Sequence, residues 1–251
     1  MGLEALWDKG RGGVCAPARG RPEPPGPRLL GSLLRGTRRA RARLAPEGPL
    51  ARLNWREESL DAATIAAAHS LAPRVLGRFY LAGGTALSLR LGHRVSLDLD
   101  LFSPSERLAG PARAALLKGL EAGTGLEVLE AKDGTCHLRL GGRAVSLFHY
   151  PYPLLETTRS WRGLEVAGLM DIAAMKLSAA IGRGSRRDFI DLKALAGELG
   201  LAQVFDAGRR RFKDHPDFVL QAAKALVYFE DADREPSPRL LKAADWGSTK
   251  A

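Results

Sequence analysis

From Val95 to Phe102 the chain reads VSLDLDLF, an alternation of period two. Successive side chains of a strand point to opposite faces, so Leu97, Leu99 and Leu101 share one face and Ser96, Asp98 and Asp100 the other. One face must therefore meet a core while the other gathers two carboxylates. Two strand steps separate the aspartates by about 6.6 Å, where their repulsion is about 2.5 kcal/mol at an effective dielectric of about 20 and about 0.6 kcal/mol in open water. The face is either well solvated or holds a cation. A hard divalent ion shared between a few carboxylates and substrate phosphates describes Mg²⁺.

The preceding text has a matching layout. RFYLAGG reads as a short strand ended by Gly83 and Gly84, and TALSLRLG as a helix opening at Thr85 and closing at Gly92. Glycines let backbone N–H groups approach a phosphate, and a helix start adds partial positive charge. Upstream, SLDAATIAAAHSLAPRVL has helical spacing with Ser59 as its cap. Downstream, PARAALLKGLEAG is a helix, and GLEVLEAKDGTCHLRLGGRAVSLFHYPY is a meander turning at KDG and GG. After Pro153 the pattern becomes helical, through GLMDIAAMKLSAAIGRG, SRRDFIDLKALAGELG, LAQVFDAGRRRFK and FVLQAAKALVYFEDAD. The tail PSPRLLKAADWGSTK is expected to pack back through Leu241 and Trp246. The fold class expected is α+β: a mixed sheet with helices, followed by a helical C-terminal lobe.

Composition narrows the class. A chain of 251 residues with 45% hydrophobic and 26% charged residues can build a sizeable globular core. Its two cysteines, Cys15 and Cys136, lack CxxC spacing, which argues against a disulfide framework or a zinc site and for a reducing cytoplasm. No stretch nears the ~18 apolar residues that cross a bilayer, and MGLEALWDKGRGG lacks a secretory pattern. A cytoplasmic protein with no membrane partner is expected. Of the net charge of +10, residues 1–50 carry +6, with ten Lys/Arg against four acids, nine Gly and seven Pro. They read as a disordered basic leader, with a nucleic-acid-binding arm as the competing reading. Translation is expected to start near residue 50, at a codon other than Met, because no Met lies between Met1 and Met170. The expected organisation is a leader at 1–50, a first domain at 51–155 and a helical lobe at 156–251. The remaining charge permits RNA contact without demanding it.

The strand, Gly-Gly-Thr, helix and HRVSLDLDLF together resemble the nucleotidyltransferase signature of a glycine pair followed by Asp-x-Asp, in the form of the AbiEii/AbiGii toxin family. FHYPYPLLE, GLMDIAAMKLSAAIGRGSRRDFIDLKAL and KALVYFEDADREPSPRLL resemble further segments of that family in the same order, so the likeness spans about residues 54–250. The resemblance implies that Asp98 and Asp100 ligate Mg²⁺ and that Gly83, Gly84 and Thr85 cradle the phosphates of a nucleoside triphosphate. Ser96 and Arg94 beside the metal strand join that phosphate set. Lys176, which composition alone places on a solvated helix face, resembles a substrate-phosphate contact. Arg187–Asp188 resembles the family's Lys-Asp pair, a phosphate contact and a catalytic carboxylate; without the resemblance, Arg187 and Asp191 at i,i+4 read as a surface ion pair. The catalytic set implied is Asp98, Asp100, Lys176 and Asp188.

One departure stands out. Nucleotidyltransferases often add a third carboxylate from a neighbouring strand, and the matching segment RAVSLFHY offers Ser146 and His149 but no acid. Asp188 fills that role, the acceptor needs little activation, or the enzyme is impaired. His93 and His137, beside turns, read as structural. The resemblance implies a toxin of a toxin–antitoxin or abortive-infection system, with an antitoxin partner and an RNA or tRNA acceptor. The alternatives are transfer to a small antibiotic-type molecule, or a catalytically impaired protein that binds nucleotide or partner only.

Overall fold

The computed structural model describes residues 54–122, 125–243 and 245–250; the expected leader and Cys15 lie outside them. A one-turn 3-10 helix at Glu57–Ser59 leads into helix α1, Ala62–Val75. The cap of α1 is Asp61, whose carboxylate accepts from the Thr64 N–H at 2.8 Å. The expected cap, Ser59, instead donates to the Arg56 carbonyl at 2.7 Å. An ionised acceptor three residues before that N–H outcompetes the more distant hydroxyl.

Strand β1, Tyr80–Ala82, runs straight into helix α2, Gly83–Leu91. The helix opens two residues earlier than Thr85 because Gly83 takes φ +69°, which reverses the chain without a connecting loop. It closes at Gly92 in the left-handed region, as the sequence predicts. Strand β2, Leu99–Ser103, is shorter than the alternation suggests. The backbone before it is claimed elsewhere: Val95 N donates to the Arg239 carbonyl at 2.8 Å and Ser96 N to the Ser59 carbonyl at 3.1 Å. Asp98 thus lies on the approach to the strand, and Asp100 within it.

Helix α3, Gly110–Glu121, is followed by the meander β3 (Glu127–Lys132), β4 (Thr135–Leu140) and β5 (Arg143–His149), with the glycine turns where expected. A hairpin, β6 (Arg159–Trp161) and β7 (Leu164–Val166), went unread in the sequence. Three-residue strands show too little alternation to register as a pattern. This hairpin adds to the sheet beside β1 in parallel, so the sheet reaches beyond the expected boundary at residue 155. Six helices follow among the described residues: α4 Leu169–Gly182, α5 Arg186–Leu199, α6 Leu201–Arg211, α7 Phe218–Ala225, α8 Glu230–Arg234 and α9 Trp246–Lys250. The fold class is the α+β arrangement predicted.

The seven strands form one mixed sheet in the order β3-β4-β5-β2-β1-β7-β6. Strand β2 is central, antiparallel to β1 and parallel to β5. Its register aligns Asp100 with Ala82 on one side and with Ser146 on the other, and Ser146 in turn with His137 on β4. Leu81, Leu99, Leu101, Leu138, Val145 and Leu147 fill the opposite face and are buried. On the aspartate face, Tyr80, Phe102 and Phe148 stack at 6.1 and 5.0 Å. This seam continues through Tyr150 and Tyr152 to Phe212 and Phe218, fastening the sheet to α6 and α7.

Helix α4 is buried from Asp171 to Ala180, which explains its Ala-rich composition: small side chains let neighbouring elements approach from every side. Asp171 accepts from Leu155 N at 2.8 Å and Glu156 N at 3.0 Å and pairs with the buried Arg211. The tail packs back through Trp246, which meets Phe189 and Phe229, as predicted. Leu241 does not share in this and is exposed; Leu240 instead bridges to Arg94. Among the described residues, no helix is long and apolar enough to cross a membrane.

Candidate active site

The glycine pair lies directly against the charged residues that follow it in sequence. A Cβ added to Gly83 would sit 2.9 Å from Asp100 Oδ2, and one added to Gly84 would collide with Arg94 Nη2 and approach Ser96 Oγ to 3.1 Å. Gly83 therefore floors the Asp100 carboxylate, and Gly84 roofs the Arg94 guanidinium. Thr85 is buried; its hydroxyl donates to the Asp98 carbonyl and lies 3.0 Å from Ser96 Oγ. It pins the first turn of α2 to the approach of β2, leaving that turn's backbone N–H groups as its contribution to an anion site. Asp98 is half-buried and Asp100 is 8% exposed.

Behind this turn lies a buried ionic network contributed by α4, α5 and the segment before β2. Asp191 accepts from Arg94 Nε at 2.6 Å and Arg94 Nη2 at 2.9 Å. It also lies 2.7 Å from His93 Nε2 and 2.6 Å from Lys176 Nζ. Asp188 takes Lys176 Nζ at 2.9 Å, Arg183 Nε and Nη2 at 2.7 and 2.9 Å, and the Ser185 hydroxyl at 2.7 Å. Both carboxylates are fully enclosed. Burial alone would favour their neutral forms, but the facing cations prevail: Lys176 and Arg183 hold the Asp188 carboxyl, and Lys176 and Arg94 the Asp191 carboxyl, well below the usual carboxylate range. Burial also works against the Arg94 and Arg183 guanidinium charges, yet Asp191 and Asp188 respectively raise both above the ordinary arginine value.

Three cations, Arg94, Lys176 and Arg183, face two carboxylates here, so these five groups carry a net charge of +1. That excess adjoins Asp98 and Asp100: Arg94 feels the charge of Asp98, and Arg183 that of Asp100. An array with cations behind a glycine turn and two carboxylates in front can hold a polyphosphate and a divalent ion together.

Gly83, Gly84, Thr85, Arg94, Ser96, Asp98 and Asp100 converge at the start of α2. Lys176 and Asp188 lie in the adjoining network. Lys176 is buried rather than solvated, with two of its three donors taken by aspartates among the described residues. Arg94 spends its guanidinium on Asp191 and the Val95 carbonyl, so it fixes the site's frame instead of reaching outward for phosphate. Arg187 is exposed, and Asp191 pairs with Arg94 and Lys176 rather than forming the surface pair that i,i+4 spacing suggests. Arg187 lies exposed in the first turn of α5, whereas Asp191, one turn on, is buried against Lys176 of α4. Arg183, Ser185 and His93 were not singled out for the site. Their only local signal is the polar density of GRGSRRD and GHR, which surface loops share.

Among the described residues, no three His, Cys, Asp or Glu side chains gather as a metal cage. A pair of carboxylates is nonetheless a suitable donor set for Mg²⁺, which keeps several waters and takes its remaining oxygens from substrate phosphates.

Residues 72–152, which carry the glycine turn and both aspartates, match the family described as "Nucleotidyl transferase AbiEii toxin, Type IV TA system". The chain is 37% identical over 161 residues to the protein aq_aa25 of Aquifex aeolicus (strain VF5), covering 62% of this chain and 76% of that one. Among solved structures, the nucleotidyltransferase toxin MenT4 of Mycobacterium tuberculosis H37Rv is similar in fold, with a TM-score of 0.50, 17% identity and coverage of 75% of this chain and 79% of that one. JHP933 from Helicobacter pylori aligns with a TM-score of 0.39 and 15% identity over 66% of this chain and 90% of that one. The sequence signature, the family match over residues 72–152 and the Aquifex aeolicus relative give one answer: the chain belongs to the AbiEii nucleotidyltransferase toxin family.

Proposed function

We propose that this protein transfers a nucleotide from a nucleoside triphosphate to a hydroxyl of an RNA acceptor, and that it acts as the toxin of a toxin–antitoxin pair. The observation that carries this reading is the contact of Gly83 with the Asp100 carboxylate. A side chain at Gly83 would collide with that carboxylate, so the turn that would take phosphate borders a residue that would hold the metal. The opening N–H groups of α2 would receive phosphate oxygens, and Asp98 and Asp100 would hold Mg²⁺. When bound, the ion neutralises charge on the triphosphate and aligns the α-phosphorus for attack.

The chain's own residues supply the frame. Arg94, Lys176 and Arg183 place positive potential behind the triphosphate, while Asp188 and Asp191 keep those cations ordered. Exposed Arg187 would meet phosphate from the solvent side. The type IV toxin–antitoxin description of the family supports an antitoxin partner, and the name of MenT4 supports a toxin role.

A second reading, a nucleotide-binding protein without turnover, draws on Ser146, which occupies the strand position beside Asp100 where an acid is expected. One experiment separates the two. Protein, Mg²⁺ and total RNA are incubated with each α-labelled nucleoside triphosphate in turn. Label entering RNA supports transfer and names the base; saturable nucleotide binding with no label in any product favours the second reading.

A further inference from the structure

We propose that Ser146 and His137 together replace the missing strand carboxylate, with Ser146 receiving the proton of the attacking hydroxyl and His137 drawing it away. This rests on the nucleotidyltransferase reading above. The residues form a row across three strands: Asp100 on β2 is in register with Ser146 on β5, and Ser146 with His137 on β4. Residues in register share a face, and adjacent strands lie about 4.8 Å apart, so Ser146 is one strand from the metal-binding carboxylate and His137 two. His137 Nδ1 is 3.3 Å from Ser146 Oγ, within hydrogen-bond reach. The ring stands edge-on to Phe148 at 5.9 Å and 77°, which restrains its plane. Ser146 and Asp100 are 4% and 8% exposed and His137 half-buried, so the row runs from the floor of the site toward solvent.

The other contender is unsuited to this task. Asp188 has both oxygens occupied by Lys176, Arg183 and Ser185 and is fully enclosed. A carboxylate so held has no lone pair to offer an incoming hydroxyl. Glu130, in register with His137 on β3, is exposed and turned to Lys132 at 3.1 Å. His149 ends β5 an odd number of steps from Ser146 and therefore points to the opposite face.

The acceptor oxygen bonds to the α-phosphorus while its proton passes to Ser146 Oγ. The serine's own proton passes to His137 Nδ1. The bond from the α-phosphorus to the bridging oxygen breaks, pyrophosphate leaves with the electron pair, and the imidazolium returns its proton to water.

Single-turnover transfer from labelled nucleoside triphosphate to total RNA tests this, with equilibrium nucleotide binding and melting temperature measured on the same variants. His137→Gln and Ser146→Ala are each expected to slow transfer about 100-fold. Nucleotide affinity and melting temperature should stay as in the wild type, and the double variant should be no slower than either single one. Ser146→Asp should restore a strand carboxylate and make transfer indifferent to His137→Gln, a rescue that a packing role for histidine does not produce. A His137→Gln rate equal to wild type overturns the proposal, as does a rate loss matched by an equal loss of affinity or unrelieved by Ser146→Asp. A wild-type protein that transfers no label defeats the underlying reading, and this inference with it; an active wild type with an unaffected His137→Gln defeats the inference alone.

Discussion

The Arg94 guanidinium closes two hydrogen bonds, of 2.6 and 2.9 Å, on the Asp191 carboxylate, joining residues 97 positions apart. The arginine precedes strand β2 and the aspartate lies in helix α5, so the approach to the central strand is fastened to the helical half through a buried ion pair. Lys176 extends the fastening to α4 by bridging Asp188 and Asp191. The frame of the site thus depends on contacts that none of these segments makes by itself.

Removing one partner from such a network leaves buried charge uncompensated. Asp191→Ala is expected to cost about 3–5 kcal/mol, since Arg94 and Lys176 remain enclosed without it. Denaturant unfolding followed by circular dichroism measures this; a loss under 1 kcal/mol would show that the network is not what binds the two halves.

The same pair sets the acid response. Asp188 and Asp191 are held below the ordinary carboxylate value, to which they return, near 3.9, in the unfolded chain. The unfolded state therefore binds protons first as pH falls. Their stabilisation is complete above about pH 5 and is lost progressively below it. Melting temperatures measured from pH 7 to pH 3 should fall in that lower window, and Asp188→Asn should flatten the fall while starting from a lower value.

Gly84 is confined by Arg94 and Ser96, so Gly84→Ala forces a methyl group into an ion-paired guanidinium. Overpacking of this kind costs about 1–3 kcal/mol. Because the displaced group frames the phosphate turn, nucleotide affinity should fall as well, and calorimetric titration with nucleoside triphosphate and Mg²⁺ would detect it.

Asp98→Ala and Asp100→Ala should each reduce transfer about 100-fold or more, as loss of a metal ligand removes several kcal/mol of transition-state stabilisation. Retained activity in either variant would remove the residue from the metal pair.

Arg187 separates binding from stability. It is exposed, so Arg187→Ala should change unfolding free energy by no more than about 0.5 kcal/mol. A raised KM for nucleotide or RNA at unchanged kcat is expected in steady-state assays. Unchanged KM for both would leave it without a role at the site.

Local chemistry made much of this protein legible. Period-two alternation exposed β2 and its aspartates, glycines marked the α2 turn and the meander, and apolar spacing marked α4 through α7. Each depends on residues within a few positions of one another, where backbone geometry links sequence to shape directly. The β6–β7 hairpin was too short for that signal, and the cap of α1 fell to Asp61 in a competition between two nearby acceptors. What folding alone settled was the fate of the charges. Lys176 and Asp191 look like surface residues by spacing alone, and burial joined them with Arg94 and Asp188 in an enclosed network. A charge survives burial only beside its opposite, and here the opposites come from segments far apart in the chain, which no local pattern records.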